Sequence, residues 1–294
     1  MPKVKSAKSV IAKSDEGTIQ VTFTIPFEKI KKTKNLVAQE LGKGIQIPGF
    51  RKGKAPLSKL LNHISKNTLL EKTLSKLLPE LYSEIIDKEK LKPIVLPKFE
   101  VIKANDNEDW EIRATTCELP EFDLNDYKSQ VQGALRAKSL WTPGKTEAKS
   151  PNKPLTREEK EQEVIKTLLS SIKISIPKIL IDNEVDSRLA KFLQRLERLG
   201  LSLESYLSSV GKTAKTIREE YERQAREAIS LDLILTKISK IEKIEVKKEK
   251  IDEAIKAANA DRKLAEKLDT PEQRRLIELV LKKRSALESL VEAI

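Results

Sequence analysis

Groups able to do covalent or acid–base chemistry are scarce in this sequence, which has one histidine, His63, and one cysteine, Cys117. His63 lies at helical spacing in SKLLNHISK, where an imidazole is far more often solvated or partly packed than catalytic. A lone cysteine permits no internal disulfide, and no Cys/His grouping has the spacing zinc requires. No glycine pattern leads into a helix as a phosphate cradle must, and nothing pairs a nucleophile with a base. Carboxylates pair only on charged helix faces, where solvation is the ordinary state. The residues argue against an enzyme, and no catalytic residue, cofactor or metal site is expected.

The stretch that could do non-covalent chemistry is IQIPGFRKGKAP, residues 45–56. Pro48 and Pro56 fix their own φ angles and restrict the residues before them, while Gly49 and Gly53 open conformations closed to other residues. A bent tip of defined geometry is expected, carrying Phe50, Arg51, Lys52 and Lys54. Phe50 should find little burial there. An aromatic able to anchor in a pocket, beside cations able to pair with carboxylate or phosphate, is what a docking site needs. A plain helix connection, with Phe50 folded back on the sheet and the cations solvated, is an equal alternative on these residues alone.

The elements that must hold this tip can be read from periodicity. IQVTFTIP alternates Ile19, Val21, Phe23 and Ile25 against polar residues, the signal of a half-buried strand. FEKIKKTKNLVAQELG then predicts a helix that ends at Gly42. Helical spacing resumes in LSKLLNHI and continues through residues 67–90. PIVLPKFEVIK and DWEIRATTCEL, separated by ANDNE, predict a hairpin. Periodicity then lapses in a Lys-, Ser-, Pro- and Gly-rich segment. Thr156, with Glu159 three residues on, predicts a capping box that starts a new helix. Further helices are expected over 177–199, 202–210, 216–240, 251–260 and 271–294, with no short-period repeat.

A chain of 294 residues is long enough for two domains. It is 38% hydrophobic, 35% charged and 4% aromatic, the composition of a helical protein with thin aliphatic cores. The net charge of +12 is uneven. Residues 1–127 hold 22 cations and 18 acids, 128–160 hold 8 and 3, and 161–294 hold 27 and 24. Such an excess favours polyanions, but the mixture of signs everywhere describes local basic spots on a solvated surface. The amino-terminal residues lack the apolar core of a secretory signal and no run of about 18 apolar residues occurs, so a cytoplasmic location is expected.

GFRKGKAP resembles the ribosome-docking signature of the trigger factor family of ribosome-associated chaperones, Gly-Phe-Arg-x-Gly-x-x-Pro, at all its specified positions. CELPEFDL is similar to the end of that family's amino-terminal domain. IPKILIDNEVDSRL, IREEYERQAREAISLDLILTKI and IEVKKEKIDEAI resemble its helical carboxy-terminal domain. The resemblance implies a flexible tail (1–17), an α+β ribosome-binding domain with a small antiparallel sheet (18–127), and an all-α substrate cradle (156–294), in an elongated chain. Residues 128–155 would be a basic linker where the family usually carries an FKBP-type prolyl isomerase of about a hundred residues. That polar stretch cannot bury a core, so isomerase activity is expected to be missing.

The resemblance implies that Gly49, Phe50, Arg51, Lys52, Gly53, Lys54 and Pro56 bind the large ribosomal subunit at the tunnel exit, through ribosomal protein and rRNA. Nascent or unfolded polypeptides would be held, without ATP, by the cradle. Its expected contacts are Leu196, Leu199, Tyr206, Leu231, Leu233, Ile234 and Leu235; AISLDLILTKI is apolar nearly all round, so one packing face cannot use all of the last four, and burial of them all between neighbouring helices is the alternative. No membrane partner is expected, and a weak homodimer is admitted. The competing class is a basic RNA-binding module with no client, in which the linker and the Lys-rich tail are the active parts.

Overall fold

The computed structural model describes residues 9–14, 16–105, 107–139, 155–257 and 270–292. The chain divides into two compact units, one of residues 1–120 with 177–180, the other of 121–176 with 181–294.

In the first unit, β2 (Thr18–Ile25) is the strand the alternation predicted. Ile19, Val21, Phe23 and Ile25 all turn inward and are almost fully buried. β2 pairs antiparallel with β4 (Trp110–Cys117), from Thr18 opposite Cys117 to Ile25 opposite Trp110. β3 (Lys98–Lys103) lies on the far side of β4, with an irregularity between Val101 and Lys103. β1 (Ser9–Lys13) completes the order β1-β2-β4-β3.

α1 (Phe27–Gly42) begins after Pro26, which has no side-chain cap to offer. The carboxylate of Asp109, beside β4, accepts the Phe27 N–H at 2.8 Å instead. This satisfies an orphan donor and ties the helix start to the hairpin. α2 (Leu57–His63) follows, and then α3 (Lys66–Glu89), capped by Ser65, whose hydroxyl accepts from Thr68 N.

Two cores share α1 and α3. In the larger, Leu77, Leu78, Leu81 and Ile85 of α3 and Ile30 of α1 cover the inner sheet face. The smaller gathers Val37 and Ala38 of α1, Ile47, Leu60 of α2, Ile64 and Leu69 of α3. At about 1.5–3 kcal/mol for each large side chain removed from water, these few residues fix where the connection between α1 and α2 can run.

The second unit is helical among the described residues: α4 (Tyr127–Ser139), α5 (Arg157–Ser171), α6 (Lys178–Arg198), α7 (Leu203–Val210), α8 (Ala214–Ile241), α9 (Lys248–Ala257) and α10 (Pro271–Glu292). The Thr156/Glu159 capping box is present at the start of α5. Its core joins Val131 and Leu135 of α4, Val164 and Leu168 of α5, Ile234, Leu235 and Ile238 of α8, and Ala286, Leu290 and Val291 of α10. Phe192 of α6 meets Tyr206 of α7 edge-on at 5.1 Å, with Tyr221 of α8 at 6.1 Å.

The α+β unit and the all-α unit match the expected fold class. Three sequence expectations change in detail. Residues 9–13 of the expected flexible tail form β1, because β2 offers them an edge to pair with; residues 1–8 lie outside the described residues. The expected linker starts with helix α4, whose Val131 and Leu135 are buried against α5; residues 140–154, with Trp141, lie outside the described residues. Leu124 and Tyr127, assigned to the first domain, are buried in the second unit's core. There the Tyr127 hydroxyl donates to Glu242 at 2.8 Å, and burial followed by this carboxylate pushes its pKa up.

Candidate functional site

The tip is built from two successive turns. Phe50 N–H donates to Ile47 O at 3.1 Å, closing a turn with Pro48 and Gly49 at its centre, and Lys54 N–H donates to Arg51 O at 2.9 Å around Lys52 and Gly53. Gly49 (φ +82°) and Gly53 (φ +77°) hold the third position of each, the left-handed conformation that a type II turn demands and that proline at the second position favours. The Gln46 side chain donates to Phe50 O at 3.2 Å and braces the first turn. Pro56, in extended conformation, then leads into α2. The motif's glycines and prolines thus act as geometry, as their types implied.

Phe50 corrects the expectation that the tip leaves it free. It is only partly exposed and packs against the smaller core with Leu41, Ile45, Ala55, Leu57 and Leu61. The side chain packs on the smaller core, which holds buried Ile47 and residues of α1, α2 and α3, and not on the sheet core. Arg51, Lys52 and Lys54 stay exposed, with no ion pair to them found among the described residues. The charged side chains that the tip offers outward are therefore all cations, beside exposed Gln46, Pro48 and Pro56.

The sequence reading missed two further cations. A Cβ on Gly53 would lie 3.6 Å from Lys43 Cα, so the end of α1 abuts the second turn. Lys59 sits in the first turn of α2, its N–H donating to Pro56 O at 3.0 Å. Both are exposed. The signal that could have found them is the lack of any acid between Glu40 and Glu71. His63 is exposed at the end of α2, and Cys117 is buried, its thiol pushed up to about 11 by that burial. Neither has the setting of a nucleophile or a base.

The expected client contacts divide. Leu196, Ile234 and Leu235 are buried and offer no surface. The long helix α8 meets neighbours with the very face expected to be open, since a helix apolar all round is an interior helix. Leu231 and Leu233 are partly buried, and Tyr206 rests against Phe192. Leu199 is exposed, at 66%. Near it in the chain Leu193 of α6, Leu201, and Leu203 and Val210 of α7 are also exposed, and Leu193 lines an open groove of about 730 Å³ with Ser187, Ala190, Lys191, Gln194 and Glu197. α10 exposes Leu276, Leu279 and Val280 at helical spacing. Sixteen large apolar side chains are exposed among the described residues, and eight of them lie on these two surfaces.

The structure solved for the trigger factor chaperone, in work on its promiscuous substrate recognition in folding and assembly activities, superposes with a TM-score of 0.63 at 12% identity. The match covers 97% of this chain and 99% of that one, so the two chains share one fold. The model of the family "Bacterial trigger factor protein (TF)" matches residues 7–134, and that of its C-terminus matches 145–292. The chain belongs to the trigger factor family. Trigger factors of Mycolicibacterium vanbaalenii and Staphylococcus aureus are each 34% identical, over 119 and 114 residues, which are 40% and 39% of this chain. Those alignments take in only 25% and 26% of the two relatives. The two family matches leave only residues 135–144 between them.

Proposed function

We propose that this protein is a ribosome-associated chaperone of the cytoplasm that works without ATP and without a prolyl isomerase domain. The observation that carries the reading is the two-turn tip, which exposes Arg51, Lys52 and Lys54 beside a partly exposed Phe50 and whose motif resembles the family's docking signature. Arg51, Lys52 and Lys54 meet carboxylates or phosphates of the large ribosomal subunit at the tunnel exit. Phe50, with its ring against α1 to α3, holds the tip in shape for that contact. The ten residues between the two family matches are far too few for an isomerase core, so the action on clients is holding alone.

Emerging polypeptide segments are covered by the exposed aliphatic residues around Leu199 and along α10. Such contacts are few and partly solvated, so each segment is bound weakly and released without energy input, which delays aggregation during synthesis. Replacing Phe50, Arg51 and Lys52 together by alanine should abolish co-sedimentation with ribosomes while far-UV circular dichroism stays unchanged. Ribosome binding equal to wild type would remove the tip from the docking role.

A further inference from the structure

We infer that the first unit also binds RNA in its own right, on a cationic face that extends past the docking motif to Lys43 and Lys59. This shares Arg51, Lys52 and Lys54 with the proposed docking tip but does not depend on the ribosome. Residues 41–70 hold six lysines and arginines, His63, and no acid. That stands out in a chain with 45 acids among 294 residues. Glu40, at the edge of the stretch, is ion-paired with Lys76 at 2.5 Å.

The fold gathers these charges. The contact between Gly53 and Lys43 sets the end of α1 beside the second turn, and Pro56 passes directly into the helix that carries Lys59 and, one turn on, His63. Lys43, Arg51, Lys52, Lys54 and Lys59 are all exposed. No ion pair to any of them is found among the described residues.

The chemistry of this face selects its partner. A protein interface needs a desolvated apolar centre, and here the apolar side chains of the region, Ile47, Leu60 and much of Phe50, are turned into the smaller core. What remains is an array of hydrated cations at spacings fixed by two turns and a helix start. Such an array gains affinity by displacing counterions from a phosphate backbone, and reads position along it without reading bases.

The test is fluorescence anisotropy of a labelled single-stranded RNA of about 16 nucleotides with the full chain, from 50 to 200 mM KCl. Five phosphate contacts on a single strand correspond to a log–log salt slope of about −3.5, so affinity should fall about a hundredfold over that range. The double variant Lys43→Glu/Lys59→Glu leaves the motif intact and alters only exposed positions. It should bind RNA at least about tenfold more weakly and flatten the slope by about 1.4. RNA affinity unchanged in this variant overturns the inference, as does displacement of the RNA by polyglutamate as readily as by unlabelled RNA of equal charge. If the alanine triple variant still co-sediments with ribosomes while the glutamate variant loses RNA, the docking reading fails and the RNA face stands.

Discussion

Truncating Phe50 separates a ring that builds the tip from a ring held ready for a partner. Phenylalanine removed from a full core costs about 3–5 kcal/mol. Phe50 is partly exposed at the border of the smaller core, so the loss scales to about 2 kcal/mol, roughly a 30-fold shift towards unfolding. α1 and α3 run through both cores of the first unit, so Trp110, at 5% exposure in the sheet core, reports the change. The assay is urea denaturation of the full chain followed by Trp110 emission in a Trp141→Phe background, with the midpoint at constant slope giving the difference. Phe50→Leu should recover about half of the loss, whereas Arg51→Ala and Lys52→Ala, at exposed positions, should stay within about 0.5 kcal/mol of wild type. If Phe50→Ala is as stable as wild type, the ring contributes nothing to the fold and the argument that Phe50 supports the tip collapses.

Glu118 gives a prediction with a pH signature. Its carboxylate accepts the Lys92 N–H at 2.7 Å and Lys13 Nζ at 3.2 Å. The Lys92 hydrogen bond is the larger cause that holds its carboxyl below the usual range. Stability from a carboxyl whose pKa falls on folding is full above its unfolded value and is lost as pH falls through the folded one. Glu118→Gln should therefore cost about 1 kcal/mol at pH 7 and almost nothing at pH 3, and an equal loss at both would refute the assignment. In the second unit, Ile234→Ala should cost about 2–5 kcal/mol by chemical denaturation. Leu199→Ser should leave stability unchanged and weaken suppression of aggregation of an unfolded client, and the reverse pattern would return client contact to α8.

Much of this was legible in the sequence where local chemistry decides. α1 begins after Pro26 and ends at Gly42, as the sequence predicted: proline cannot continue an N–H ladder backwards, whereas Gly42 is the last helical residue without a left-handed cap, and its lack of a Cβ makes room for Leu60 of α2. The capping box at Thr156 formed for a local reason. The misses are tertiary. β1 has three adjacent apolar residues, Val10, Ile11 and Ala12, and no alternation, and Val10 is exposed at 71%, so its order comes from the edge of β2 and not from its own pattern. α4 hides in a polar composition, though Leu124, Tyr127, Val131 and Leu135 keep helical spacing and could have revealed it. In the candidate site the turn geometry was legible from the glycines and prolines, and Arg51, Lys52 and Lys54 are exposed. The position of Phe50 depended on a core assembled from α1, α2 and α3, and periodicity carries no information about which apolar face of α8 is left open.

The two cores of the first unit differ in how far apart along the chain their parts are made. The smaller core, under the tip, is complete once residue 69 has been synthesised, whereas β2 must wait for β4 at residues 110–117 before its ladder can close. Closing a short loop costs less entropy and takes less time than closing a long one. As the chain itself emerges during translation, the surface that bears the family motif has all the residues of its support tens of residues before the sheet does.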